Sequence, residues 1–156
     1  MYAAGSETMK RILFILGPNL NMVGIRDVNT YGTQTAESIN NDVRAWAEEM
    51  GIELEIFQSN HEGEIIDQIQ ESLGWADGIV INPGAYTHTS IAIADALRAI
   101  EIPTVEVHLS DTDKREDFRK ISYVEAVAVK TIKGKGFEGY KEAIDFLAEE
   151  WKKADI

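Results

Sequence analysis

A single α/β domain built on a parallel sheet is the fold class this chain of 156 residues predicts. Short, continuous apolar runs recur along it, and segments of helical periodicity stand between them. Polar clusters follow several of the runs.

The elements emerge in order. Residues 12–16 (ILFIL) are apolar without alternation, as in a strand covered on both faces. Ile39, Val43, Trp46 and Met50 then recur at spacings of four, three and four, which predicts a helix. Residues 54–57 form a weaker second run, and Ile65, Ile66, Ile69 and Leu73 a second helical stripe. A third run covers 78–81. Ile93, Leu97 and Ile100 follow it, behind the capping residues Thr89 and Ser90. Residues 103–107 and 126–132 supply the fourth and fifth runs, and Tyr140, Ile144, Leu147 and Trp151 the last stripe. Aromatic residues at helical spacing belong to the core rather than to a cofactor site. Strands alternating with helices imply right-handed crossovers and a doubly wound sheet. For five strands this gives the flavodoxin-like order 2-1-3-4-5, a three-layer sandwich.

Length and charge narrow the function classes. A chain of this length fits one domain, here residues 10–156, with residues 1–9 (MYAAGSETM) expected to be a tail or expression remnant. That segment lacks the basic and apolar regions of a signal peptide. There are 0 cysteines, which excludes disulfides, thiolate nucleophiles and Cys-ligated zinc. The composition suits a reducing, cytoplasmic compartment. The net charge is -12, from 15 basic and 27 acidic residues, and such a surface repels nucleic acid and anionic membrane. No apolar run approaches the ~20 residues of a membrane span.

Ligands of open α/β sheets bind beyond the carboxyl ends of the strands. Those ends read Gly17-Pro18-Asn19-Leu20-Asn21, Gln58-Ser59-Asn60-His61-Glu62-Gly63, residues 82–90 (NPGAYTHTS) and Glu106-Val107-His108-Leu109-Ser110. All three histidines sit there. Asn and Gly suit turns, and Ser and Thr suit helix caps, so each residue has a structural reading of its own. Four such loops on one rim argue for a site. Glu106 and His108 share a strand face at period 2, where a carboxylate favours the imidazolium and fixes its tautomer, as a general acid needs. Arg26, Arg115 and Arg119 are the cations available to an anionic ligand. Arg115 and Arg119, four apart, share a face if helical. The connection from Gly17 to about Gln34 exceeds the ~2–6 residues of ordinary βα loops, which suggests an active-site lid. It carries Tyr31. Bringing a tyrosine toward ionisation at neutral pH takes about 4 kcal/mol, within reach of one or two close arginines in a water-poor site.

Residues 134–139 (GKGFEG) match a dinucleotide fingerprint, but they follow the last strand and the required acid would fall beyond the chain end. No two histidines have metal-ligand spacing, and no metal is expected. An FMN- or phosphate-binding module remains an alternative, although residues 17–21 lack the hydroxyls such a first loop needs.

These motifs together resemble the type II 3-dehydroquinate dehydratases, the small dehydroquinases of the shikimate and quinate pathways. GPNLN at 17–21, R…YG over 26–32, QSNHEGE at 58–64, INPGAYTHTS at 81–90, EVH-S over 106–110 and the arginines at 115 and 119 carry the resemblance from residue 10 onward. It implies a flavodoxin-like fold, a cofactor-free elimination of water from 3-dehydroquinate, and a trimer-based homo-oligomer, a dodecamer. It further implies Tyr31 as base, with Arg26 and Arg115 stabilising its phenolate, and His108 as acid, oriented by Glu106. Asn19 would stabilise the enolate. Asn82 and the amides of Leu109 and Ser110 would hold the substrate carboxylate, and His88 and Arg119 its hydroxyls. Asp95 would reach a neighbouring subunit's site. The chain departs from the family pattern at Leu16, Asp27, Val28 and residues 111–114 (DTDK). Asp111 and Asp113 are expected to weaken the anion site, and a paralogue with a drifted cyclic hydroxy-acid substrate, or an inactive one, stays open.

Overall fold

The computed structural model describes residues 9–25 and 34–155. Five parallel strands form one sheet, in the order β2-β1-β3-β4-β5. They are β1 (Arg11–Leu16), β2 (Glu53–Gln58), β3 (Gly78–Asn82), β4 (Thr104–His108) and β5 (Lys130–Lys133). Between and after them lie α1 (Ala36–Glu49), α2 (Glu62–Glu71), α3 (Ile91–Ile100) and α4 (Glu138–Ala154).

Strand parity divides the core. Ile12, Phe14 and Leu16 of β1 point to the face covered by α1 and α4, where Val80, Val105 and Val107 join them. Leu13 and Ile15 point to the opposite face, against Ile65 and Ile69 of α2 and Ile93 and Leu97 of α3. Full burial of each such side chain stabilises by ~1.5–3 kcal/mol, so the lack of alternation in β1 is what a two-sided strand requires. The same parity sends Asn82 toward α4 and puts Glu106 and His108 on the other side of the sheet from Val105 and Val107.

Some local features differ from the expectations. The fifth strand begins at Lys130 rather than at residue 126, because residues 124–128 form a turn closed by the Val127 and Ala128 amides donating to Val124 O. Leu73 falls past the end of α2 and is exposed, and Met50 caps α1 and is partly exposed rather than part of the core. Ser90 alone caps α3, its hydroxyl accepting from the Ile93 amide. Thr35 and Ser38 form a reciprocal capping box that starts α1. Among the described residues no helix is long and apolar enough to cross a membrane.

Candidate active site

The carboxyl ends of β1, β3 and β4 converge on a cavity of about 150 Å³. Asn19, Asn82, His88, His108, Leu109, Ser110, Arg115 and Arg119 all line it. Glu106 sits behind His108, fully buried. Asp95 lies outside the lining, on the exposed face of α3, where it pairs with Arg98. Arg26 and Tyr31 fall outside the described residues. The loop after β2 does not line the cavity as expected, and His61 is exposed. That loop braces the first one instead. Asn60 Oδ1 accepts from the Asn19 amide at 3.0 Å and from Gln58 Nε2 at 3.3 Å, while Gln58 Nε2 also donates to Gly17 O.

Two loops interlock at the floor. The Gly17 amide donates to Asn82 O at 2.8 Å, and a Cβ on Gly17 would stand 2.4 Å from Pro83 O, so only glycine permits the approach. Asn19 is held in the left-handed region, with φ 72°. The Asn82 amide is already committed. Its Oδ1 accepts from the Gly84 N–H at 3.1 Å and its Nδ2 donates to the Tyr140 hydroxyl at 2.9 Å, which leaves one Nδ2 proton for a ligand.

Beyond β4 the chain is pinned by its carbonyls. The Gly134 amide donates to His108 O and Ser110 O, and the Gly136 amide to Leu109 O. Gly134 and Gly136 both have positive φ, 77° and 59°. The glycine-rich sequence after β5 is therefore a brace behind the Leu109–Ser110 segment. The last paired residues of β3 and β4 are Ile81 and Glu106, so the amides of Leu109 and Ser110 lie beyond that ladder.

Three cationic or titratable groups are fixed around the opening. His88 Nδ1 donates to Ile121 O at 2.6 Å, which leaves Nε2 as an acceptor in the neutral ring, and the His88 and His108 rings stack 6.4 Å apart. Arg119 Nε donates to Glu116 Oε1 at 2.7 Å, leaving its terminal nitrogens for other partners. Arg115 Nη1 reaches Ser110 Oγ at 3.4 Å. These arginines do not share a helix face. Arg115 is extended after one short 3₁₀ turn and Arg119 ends the next, so the shared pocket comes from the loop path. The Glu116 carboxyl is held below its usual range by its own backbone amide and by Arg119.

The expected penalty from Asp111 and Asp113 is not supported by their positions. Asp111 Oδ1 accepts from the Asp113 amide and caps a turn, while the exposed Asp113 carboxylate lies 3.4 Å from Lys133 Nζ. Neither lines the cavity. Among the described residues no carboxylate lines it, although the chain carries 27 acidic residues.

The acid pair is tight. His108 Nε2 lies 2.5 Å from Glu106 Oε2. Burial alone would push the Glu106 carboxyl up, but the hydrogen bond and charge of His108, with hydroxyls of Thr87 and Ser122, hold it below the ordinary glutamate range. Sequence reasoning missed Thr87, Ser122 and Thr131 as partners of Glu106. Their loop positions read as turn and cap chemistry, and only the fold brings them together.

Comparison with known proteins agrees with this arrangement. Residues 10–148 match the family model described as Dehydroquinase class II. A 3-dehydroquinate dehydratase of Bacillus mycoides (strain KBAB4) is 49% identical over 146 residues, spanning 94% of this chain and 100% of that protein. The crystal structure of type II dehydroquinase from Butyrivibrio crossotus DSM 2876 superposes with a TM-score of 0.88 at 50% identity, covering 90% of this chain and 99% of that one. The type II dehydroquinase of Propionibacterium acnes gives 0.86 at 38% identity, covering 90% and 97%. With a sheet order, a strand-end cavity and close relatives over almost its whole length in agreement, this chain belongs to the class II dehydroquinase family.

Proposed function

We propose that this chain is a 3-dehydroquinate dehydratase that removes water from 3-dehydroquinate to give 3-dehydroshikimate by anti elimination through an enolate. The observation that carries this reading is a cavity free of carboxylates among its described lining residues, in an acidic protein, lined by an imidazole backed by a buried glutamate and by two arginines. Removing a proton next to a ketone needs a base, a stabiliser for the enolate oxygen and an acid for the leaving hydroxyl.

The roles are distributed as follows. Tyr31, as phenolate, takes the proton from the carbon beside the ketone, and Arg26 and Arg115 stabilise its charge. The electron pair becomes the enolate, which Asn19 stabilises through an ordered water. On collapse the carbonyl reforms, the carbon–oxygen bond breaks, and the hydroxyl leaves as water with the proton of His108. Since Glu106 engages Nε2, Nδ1 is the nitrogen left to deliver that proton. The remaining Nδ2 proton of Asn82 and the amides of Leu109 and Ser110 hold the substrate carboxylate. His88 Nε2 accepts from a ring hydroxyl, and Arg119 donates to another. Asp95 completes a neighbouring subunit's site in a trimer-based assembly, a dodecamer. No cofactor is assigned.

The test uses substrate labelled stereospecifically at the carbon beside the ketone, with wild type and Tyr31→Phe. Wild type should lose the one hydrogen that anti elimination requires. Tyr31→Phe should bind substrate by calorimetry while turnover falls by ~10²–10⁴-fold. Loss of the other hydrogen, or a fully active Tyr31→Phe, contradicts the reading.

A further inference from the structure

Glu106 is surrounded by more hydroxyls than a carboxylate–imidazole pair requires. Thr87 Oγ1 lies 2.6 Å and Ser122 Oγ 2.8 Å from Oε2, the oxygen that also meets His108. Thr131 Oγ1 lies 3.2 Å from Oε1. The Thr87 and Ser122 hydroxyls are 2.6 Å apart, and the Glu125 backbone amide donates to Ser122 Oγ at 3.0 Å. The three hydroxyls come from the turn after β3, the loop before β5 and β5 itself.

Counting protons gives the cluster a direction. Each hydroxyl has one proton, and the Glu125 N–H can only donate. Ser122 therefore accepts from Glu125 and passes its own proton to Thr87, whose proton goes to Glu106 Oε2. The reversed order, with a protonated Glu106 donating to Thr87 and Thr87 to Ser122, leaves the Ser122 proton only the hydroxyl oxygen of that neutral carboxyl, a far weaker acceptor than a carboxylate. If both hydroxyls donated to Glu106, their 2.6 Å contact would set lone pair against lone pair. The order with Thr87 donating to Ser122 and Ser122 to Glu106 would leave the 2.6 Å Thr87–Glu106 contact without a proton, whereas the chain through Thr87 leaves only the longer 2.8 Å Ser122–Glu106 contact without one, and such chains polarise cooperatively.

We propose that Thr87 and Ser122 are positioning residues, carrying a one-way hydrogen-bond chain from the Glu125 amide to Glu106 that fixes this carboxylate as the acceptor for His108 Nε2. Thr131 holds the second oxygen and stops the carboxylate from rotating. Neither Thr87 nor Ser122 lines the cavity, so both act through Glu106. The other charged or titratable groups nearby are His88, Arg115 and Arg119 at the cavity and Lys133, whose ammonium is turned to Asp113 and Glu125. Among the described residues none of these four is hydrogen-bonded to Glu106. The assignment rests on His108 as the acid of the proposed reaction.

The test compares wild type with Thr87→Val, Ser122→Ala and the conservative Thr87→Ser, folding being checked by circular dichroism. Proton NMR of the unliganded proteins reads the His108 Nε2–H, assigned by its loss in His108→Asn. A short imidazole–carboxylate bond gives a far-downfield resonance. Thr87→Val and Ser122→Ala should shift it upfield or lose it to exchange, while Thr87→Ser retains it. With 3-dehydroquinate, kcat should fall by ~10–100-fold in the first two with KM nearly constant, and Thr87→Ser should recover most of the rate. If Thr87→Val does not fold, Ser122→Ala, at a half-buried loop position, carries the test. Folded variants that keep both the resonance and kcat overturn the proposal. If wild type itself fails to turn over 3-dehydroquinate, the functional reading falls, and the NMR comparison still decides the chain.

Discussion

His108 Nε2 and Glu106 Oε2 lie 2.5 Å apart, on the same face of β4, with both side chains buried. A carboxylate in that place accepts the Nε2 proton and fixes the ring's tautomer. Glu106→Gln offers an amide that also donates, so the ring loses its fixed donor arrangement. We expect kcat on 3-dehydroquinate to fall by ~10²–10⁴-fold while KM changes little. A variant with wild-type kcat would remove Glu106 from the acid's support.

The same pair sets a pH dependence of stability. Burial raises the Glu106 carboxyl, but His108, Thr87 and Ser122 together hold it below the ordinary range. A folded value below the unfolded one contributes stability that is fully present above the unfolded value, near ~4.3, and is lost as pH falls through the folded value. The gap in urea midpoint between wild type and Glu106→Gln should therefore be widest at neutral pH and shrink on acidification. A gap that grows toward low pH contradicts this sign.

Asp111 and Asp113 face away from the cavity, one capping a turn and the other beside Lys133. Replacing both with asparagine keeps the turn acceptor at 111 and costs at most an exposed ion pair, worth ~0–1 kcal/mol. The Michaelis constant should stay unchanged at low and high salt. A constant that drops only at low salt would restore these carboxylates as a repulsive element at the anion site.

Gly134 has φ 77°, and a Cβ there would come within 3.1 Å of Asp111 Cβ. Gly134→Ala should cost about 1–2 kcal/mol through the left-handed backbone alone. It should also disturb the brace behind Leu109 and Ser110, raising KM more than it lowers kcat. Thermal melting and steady-state kinetics check both parts, and unchanged values in each contradict the brace.

The sheet was legible because parallel strands buried on both faces are written as nearly unbroken apolar runs, as in β1 and β3, while β4 keeps only Val105 and Val107 around its buried Glu106. β5 was read too early, from residue 126 rather than Lys130, since an edge strand needs only one deeply buried residue, Ile132, and the apolar turn before it reads like strand. Glu106 and His108 could be paired from period 2 alone. Thr87, Ser122 and Thr131 could not, because their meeting at Glu106 depends on three separate chain segments arriving at one carboxylate. Arg115 and Arg119 both line the cavity, but no helix forms there, so the shared face that their spacing would give in a helix does not arise.

The most direct measurement is the ultraviolet absorbance of the conjugated enone when purified, dialysed protein is mixed with 3-dehydroquinate and no metal or cofactor is added. The account predicts a steady, enzyme-dependent rise to equilibrium with 3-dehydroshikimate, strongly reduced in His108→Asn. A folded wild-type protein that produces no rise, or a His108→Asn variant as fast as wild type, would contradict it.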